Sequence, residues 1–313
     1  MTVAGELVVG PGLIQWGTLL LGRNQAAGAV TPYRWKKVDG WQTTPAQDSG
    51  TVKRSQQYGG WPGRLMPQTR IITLKDLVVR TGRGRMGAAI AALEDACQLG
   101  QDAEQPLVIQ LDERGPLLVF ARLIALDVPV SSTWQLGWAE GGQIMWEATD
   151  PRRYDLAEQV ATTPLPSSEA GLAWGSPVET GLAWGSPVET GLQWGTAGST
   201  GNLTCLNAGR AETHPVIQIT GPCITPSITL VGTPLVLEYG LTLGAGDQLV
   251  IDCWAGTVTL GGQDRLPTVT ARSVPEASLT LPPGTTSVLA FRSSDAVPDP
   301  AASCTVRWRS AYW

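Results

Sequence analysis

Histidine and phenylalanine are almost absent from this chain of 313 residues, which has one histidine and two phenylalanines. The single histidine, His214, excludes a metal site built from several imidazole ligands, and a Ser-His-Asp triad would have to use this one residue. His214 precedes Pro215 at the entry to a predicted strand. We therefore interpret it as a turn or packing residue.

Cysteine is scarce as well, and the five cysteines are far apart without any CxxC pair. An odd number at such spacing indicates neither a disulfide framework nor a zinc site. We predict free thiols in a reducing compartment that pack as small hydrophobic side chains. They are Cys97, Cys205, Cys223, Cys253 and Cys304.

Charge and long apolar runs are also limited. Charged residues make up 16% of the chain, and residues 166–313 contain six arginines, no lysine and eleven acidic residues. That balance disfavours nucleic-acid binding, which needs clustered cations. The apolar run Leu13–Leu21 is interrupted by Gln15, Trp16 and Gly17, so we expect no signal peptide and no membrane insertion.

What the chain has in abundance is glycine (37 residues) and proline (23 residues), which separate many short strand-like segments. We predict a mostly β protein whose N-terminal domain, residues 1–163, is an antiparallel β-sheet or sandwich with one packed helix. Its predicted elements are two strands around Gly10-Pro11-Gly12, an arm reaching Pro67, a strand over 70–80, a helix over 86–99, a hairpin of 107–111 with 117–126, and a strand over 134–147.

Residues 164–200 are predicted to be a linker, because GLAWGSPVET occurs twice in tandem and a decayed copy follows. Two and a half copies are too few for a solenoid. The strand candidates from residue 201 onward, separated by turns, predict a C-terminal β-sandwich domain over 201–313. One of these candidates is Ser278–Leu281.

Motifs for chemistry are weak. Gly82–Gly87 matches GxGxxG between a predicted strand and a helix, but a hairpin follows, so the strand-helix alternation of a dinucleotide fold is missing. Glu94 and Asp95 lie about 100° apart around the predicted helix and cannot converge on one bond. We therefore predict no catalytic residue, no cofactor and no metal, and a protein that is not an enzyme.

Tryptophan is the exception among the aromatic residues, with thirteen copies. Trp35, Trp41 and Trp61 lie in the arm region and are predicted interface residues, since tryptophans are frequent anchors of interfaces. The repeats place Trp174, Trp184 and Trp194 at a spacing of ten, either as packing residues or as platforms for sugars. A carbohydrate-binding module, with Trp254 as a further platform, and a β-sandwich hydrolase are the two alternative functions.

Several segments of the second half resemble the C-terminal domain of distal tail (Dit) proteins of siphophages. Asp150-Pro151 with Tyr154 is similar to the end of the N-terminal domain in that family. Thr286, where the family often has asparagine, and the tandem repeats depart from its pattern. The similar segments are Asn207–Gly209, Thr213–Gly221, Ala245–Asp252, Leu281–Gly284, the strand Val288–Phe291, Val306–Arg309 and Tyr312.

The resemblance implies a structural protein of the virion tail tip, assembled in the host bacterial cytoplasm. It implies a homohexameric ring of N-terminal domains with galectin-like C-terminal sandwiches facing outward, placed between the tail tube protein and the hub protein. The tape measure protein and tail fibres are possible further partners. The resemblance carries over no catalytic residue.

Overall fold

A computed structural model describes residues 3–168 and 198–313 of the chain. The chain forms two compact units: Met1–Ala157 together with Ala311–Trp313, and Glu158–Ser310. The predicted linker 164–200, and with it the domain boundaries, stay predictions, because the repeats lie outside the described residues.

The first unit is built from strands and one α-helix among its described residues. In chain order it contains β1 Leu13–Trp16, β2 Leu19–Asn24, β3 Ala29–Val30, β4 Tyr33–Arg34, β5 Lys37–Asp39, β6 Gln47–Asp48, β7 Val52–Lys53, β8 Gly60–Trp61, β9 Met66–Pro67, β10 Arg70–Arg80, α1 Met86–Ala96, β11 Gln105–Gln110, β12 Leu117–Asp127, β13 Trp138–Ala148, β14 Arg153–Asp155 and, from the last residues, β27 Ala311–Tyr312.

Eleven of these strands form one antiparallel sheet, and eight of them follow the order β3-β2-β1-β11-β12-β13-β10-β4. Of the other three, β5 pairs with β10, β14 pairs with β12, and β27 pairs with β14. The long strand β12 joins two parts of this sheet. Its residues 117–121 pair with β11, whereas its residues 122–127 pair with β13 after a change of partner. The strand β12 therefore connects the part of the sheet that contains β11 to the part that contains β13.

The helix α1 covers this core with its buried residues Met86, Ala89 and Leu93. Two side chains from the sheet bond to its backbone: Tyr33 Oη donates to the Ala89 carbonyl at 2.6 Å, and Trp16 Nε1 donates to the Ala96 carbonyl at 3.0 Å. These bonds fix the helix on the sheet. The predicted helix, the strand over 70–80 and the 107–126 hairpin are all confirmed.

Two predictions for the first unit are wrong in detail. The first hairpin turns at Gly17, between β1 and β2, and not at Gly10-Pro11-Gly12, because β1 pairs with β2 on one side and with β11 on the other. The strand predicted from Trp134 begins only at Trp138. Residues Ser132–Leu136 form a 3-10 turn that ends at Gly137 in the left-handed conformation.

The second unit contains the remaining strands. They are β15 Gln159–Pro164, β16 Asn202–Asn207, β17 Val216–Thr220, β18 Cys223–Ile224, β19 Ser227–Leu230, β20 Val236–Glu238, β21 Thr242–Leu243, β22 Gln248–Asp252, β23 Thr257–Leu260, β24 Gln263–Asp264, β25 Thr285–Arg292 and β26 Ser303–Trp308.

The strands of the second unit form two main antiparallel sheets, β15-β26-β17-β22-β23-β24 and β16-β25-β19-β20. Alternate residues of β16, β17 and β26 are buried, as expected for strands with one face on a core. Buried aliphatic side chains, Tyr239, Phe291 and four cysteines form that core. The predicted β-sandwich is confirmed.

The strand predicted over Ser278–Leu281 is wrong. Glu276–Ser278 forms a short 3-10 turn, and Leu281 makes only an isolated bridge to Thr213. Within the described ranges no helix has the length and apolar character needed to cross a membrane.

Candidate interaction site

A long hairpin leaves the sheet of the first unit between β5 and β10, and we call residues 46–68 the arm. Its strands pair only with one another, β6 with β9 and β7 with β8. The backbone bond from Gln68 to the Ala46 carbonyl closes its base at 2.8 Å. A two-stranded hairpin is marginally stable in water, so this segment is suited to a partner that packs against it.

The arm exposes large hydrophobic side chains, which soluble monomers seldom gather in one segment. Trp61 is 63% exposed, and the guanidinium of Arg54 lies over its ring at 4.2 Å from the centroid. The arm has three basic residues and one acidic residue, so it presents an apolar and cationic surface. Its other exposed hydrophobic residues are Val52, Tyr58, Leu65 and Met66.

Arg70 holds the base of the arm, although it is only 2% exposed. Its Nη1 donates to the carbonyls of Gly40 (2.7 Å), Trp41 (3.1 Å) and Thr43 (2.8 Å), and its Nε donates to Pro151 at 2.7 Å. Burial, followed by repulsion from Arg153, lowers the pKa of Arg70 to about 10. The guanidinium therefore joins the segment before the arm to the strand that follows it.

The three predicted interface tryptophans lie in different environments. Trp41 is 2% exposed and packs in the core, with the Arg153 guanidinium 5.5 Å from its ring centroid. Trp35 is partly buried against the same core, and its Nε1 has no hydrogen-bond partner among the described residues. Only Trp61 is largely exposed, so it is the one of the three that presents its ring to a partner.

The repeat residues Trp174, Trp184 and Trp194 lie outside the described residues, and their role stays a prediction. Trp254, the further platform of the carbohydrate-binding alternative, is exposed and meets His214 edge-on at 5.2 Å between ring centroids. A ring nitrogen of His214 bonds to the Ala277 carbonyl at 3.2 Å. The histidine therefore has packing and turn contacts, as its position before Pro215 predicts.

The glycine-rich motif Gly82–Gly87 connects β10 to α1, as the sequence predicts. The strands beside β10 are antiparallel to it, and β11 and β12 after the helix form an antiparallel hairpin. The crevice of a dinucleotide fold lies between parallel strands at a switch point. This loop has no parallel neighbour in the described sheet.

Two buried carboxylates of the second unit, Glu238 and Glu276, are bound to neighbouring side chains. Glu238 accepts hydrogen bonds from Thr270 Oγ1 and from the Arg272 guanidinium, each at 2.8 Å. Glu276 accepts one from Tyr239 Oη at 3.1 Å. Each of these carboxylates therefore has its own set of hydrogen-bond donors.

All five cysteines are buried free thiols, as predicted. Burial raises the pKa of Cys97 and Cys205 to about 12 and, together with the charge of Asp295, raises that of Cys223 to about 11. Burial also raises the pKa of Cys253 and Cys304. In the described residues no three or more His, Cys, Asp or Glu side chains lie close enough to hold a metal ion.

Two features of the first unit were missed by sequence reasoning: the buried Arg70 and the pair Arg23 and Arg34 beside Trp35. An arginine at the start of a strand, directly before the apolar Ile71 and Ile72, was the available signal for Arg70. No local pattern distinguishes Arg34 from Lys36 and Lys37, which follow it closely.

The comparisons with known proteins find similarity to tail proteins of phages. Residues 208–312 match the family described as siphovirus-type tail component, C-terminal domain. The chain is similar to the crystal structure of the Dit protein (gp 19.1) of SPP1, described as a paradigm of the hub adsorption apparatus in phages that infect Gram-positive bacteria. The identity is 14%, 90% of this chain and 94% of that chain are covered, and the TM-score is 0.57.

A chain from the baseplate of phage p2 in its activated conformation with strontium is also similar, at 11% identity, with 94% of this chain and 96% of that chain covered and a TM-score of 0.47. No curated protein matches this chain. The second unit thus carries a siphovirus-type tail component domain, and the chain has the fold of a Dit protein. The resemblance predicted from the sequence is confirmed.

Proposed function

We propose that this chain, whose residues 208–312 form the C-terminal domain of a siphovirus-type tail component, is a distal tail protein. It is a structural component of the tail tip of a long-tailed phage, assembled in the cytoplasm of the host bacterium. The observation that carries this proposal is the family match in the second unit, joined to a first unit that completes the Dit fold.

The proposed assembly is a homohexameric ring made by the first units. A ring needs one interface that repeats and closes under rotation. The short strand β3 lies at one end of the described sheet and pairs only with β2, so its other edge bonds to no further strand of that sheet. Such edges are suited to contacts with a neighbouring copy.

The arm supplies the second element of the proposed interface. Trp61 has the size and exposure of an interface anchor, and the Arg54 guanidinium lies over its ring. Packing the arm on a neighbouring copy would remove both from water. Arg70 fixes the segment just before the arm, so the hairpin starts from a defined position when it binds.

The proposed ring joins the tail tube protein on one side to the hub protein on the other, and the tape measure protein and tail fibres are its further neighbours. In this role the protein connects neighbouring tail proteins and needs no catalytic residue. The carbohydrate-binding alternative depends on Trp174, Trp184 and Trp194, outside the described residues, and it stays a prediction.

Electron microscopy of the purified full chain tests the ring. We expect six-fold rings with a central channel, and we expect antibodies against the chain to label the tip of intact virions. Labelling along the tail or on the capsid, with none at the tip, would contradict the proposed function whatever the purified chain assembles into.

The role of the arm is tested by Trp61→Ala, with Trp254→Ala as the matched control in the second unit. Loss of an anchoring tryptophan costs about 2 to 4 kcal/mol, so we expect self-association to weaken by roughly thirtyfold or more in the first variant. Sedimentation of both variants over a range of concentrations measures this. Equal association of W61A and W254A would show that the arm is not at the interface.

A further inference from the structure

A small open recess lies in the first unit, where β2 passes β4. It has a volume of about 200 Å³ and is lined by Gly12, Gly22, Arg23, Arg34 and Trp35. That volume is large enough for a carboxylate or phosphate group. The recess is separate from the arm.

Glycine at position 22 allows the residues around the recess to lie close together. Gly22 has a φ of 107°, which side chains of L-residues rarely adopt. A Cβ on Gly22 would lie 2.2 Å from the Gly12 carbonyl oxygen and 3.0 Å from Nε1 of Trp35. The absence of a side chain here therefore lets β1, β2 and the indole approach one another around the recess.

The recess is positively charged. Arg23 and Arg34 both line it, no acidic residue does, and neither arginine forms an ion pair with a described residue. Arg23 instead donates from Nη2 to the side-chain oxygen of Gln25 at 2.7 Å, a neutral partner. Two guanidinium groups thus border one small opening without an acidic partner among the described residues.

Two hydrogen-bond donors at the recess have no acceptor. Nε of Arg34 and Nε1 of Trp35 are buried, and neither bonds to a described residue. Leaving a buried donor unpaired costs about 1 to 3 kcal/mol, so such groups usually have a partner in the functional state of a protein. Both donors belong to adjacent residues, Arg34 and Trp35, that line the same recess.

We infer that this recess is a binding site for an oxyanion, a carboxylate or a phosphate group. An oxyanion provides the acceptors that Arg34 and Trp35 lack and the negative charge that Arg23 and Arg34 require. The oxyanion comes either from solution as a free ion or from an acidic side chain of a second copy of this chain. A neutral ligand would satisfy the donors and leave both charges uncompensated.

Calorimetric titration of the full chain with inorganic phosphate, at constant ionic strength, tests the site. Arg34→Gln removes one charge and its donors. Arg83→Gln is the matched control, because Arg83 is exposed and does not line the recess. Trp35→Phe keeps an aromatic ring and the net charge and removes only the indole donor. Circular dichroism checks that each variant is folded.

For a free ion we expect saturable phosphate binding that weakens about tenfold or more in R34Q and several-fold in W35F, and that R83Q leaves unchanged. For an acidic side chain of a second copy, we expect R34Q and W35F to lower the assembled fraction in sedimentation and phosphate to do so in the wild type. The inference is overturned if R83Q weakens phosphate binding as much as R34Q does. It is also overturned if phosphate does not bind and if R34Q, W35F and added phosphate all leave the assembled fraction unchanged.

Discussion

Replacing Arg70 by methionine is expected to destabilise the first unit by about 3 to 5 kcal/mol. The side chain is within hydrogen-bond distance of four carbonyl oxygens; the two N–H groups of Nη1 share three of them, in the segment 40–43, and Nη2 is buried without a partner among the described residues. Bonds from a charged donor contribute about 1.5 to 3 kcal/mol each. Burial of the guanidinium, which lowers its pKa to about 10, offsets part of that sum, and part of the freed carbonyls regain water.

Denaturant unfolding of the full chain, followed through the transition of the first unit, measures this loss. Arg64→Met is the matched control, since Arg64 is an exposed residue of the arm, and we expect it to change the free energy of unfolding by less than about 0.5 kcal/mol. A loss below about 1 kcal/mol in R70M would refute the reasoning. Arg70→Lys is expected to recover little, because one ammonium group cannot replace a planar fork directed at carbonyls on two segments.

Two further predictions concern the second unit. Burial raises the pKa of Cys205 to about 12 from an ordinary value of 9.0, so the folded state keeps a proton that the unfolded chain releases. The contribution of this buried thiol to stability is therefore complete below pH 9.0. It is lost as the pH rises above 9.0, at up to about 1.4 kcal/mol per pH unit. Denaturant unfolding across this range should show a shallower loss in Cys205→Ala, and an identical slope would contradict the prediction. Asn207 is fully buried and donates from Nδ2 to the carbonyls of Ala211 (2.8 Å) and Leu281 (3.0 Å). Asn207→Asp places an acceptor oxygen against both carbonyls, so it should lower the free energy of unfolding by about 3 kcal/mol or more at neutral pH. Thermal unfolding should show partial recovery in acid, where the aspartate is protonated.

The strands that the sequence predicts well are those with local signals. The strand β10 and the hairpin of β11 and β12 alternate or run apolar between turn residues, and they form as predicted. The first hairpin was misplaced because Gly10-Pro11-Gly12 and Gly17 are equally plausible turns in one dimension. The pairing of β1 with both β2 and β11 decides between them, and that is a long-range interaction.

The candidate sites were less predictable because burial is a property of the whole fold. Ser278–Leu281 has a strand-like pattern, but its first residue belongs to the 3-10 turn Glu276–Ser278. Glu276 in this turn is buried and accepts a hydrogen bond from Tyr239, which is distant in sequence. Likewise, nothing beside Arg34 in the sequence shows that its Nε faces no acceptor. Charges without partners become visible only when every neighbour has been placed.

The tryptophans of the first unit show how the same local chemistry serves two purposes. Trp41 and Trp61 each have an arginine over the ring, Arg153 at 5.5 Å and Arg54 at 4.2 Å from the centroid. Around Trp41 the arginine is itself buried and bonded to Gln42, so the pair stabilises the core and is already closed to other molecules. Around Trp61 both side chains face water, where a cation on an aromatic ring contributes only about 0.5 to 1 kcal/mol, and the interaction strengthens when a partner removes the water. The exposed pair on the arm therefore has free energy still to gain by association, and the buried pair has none.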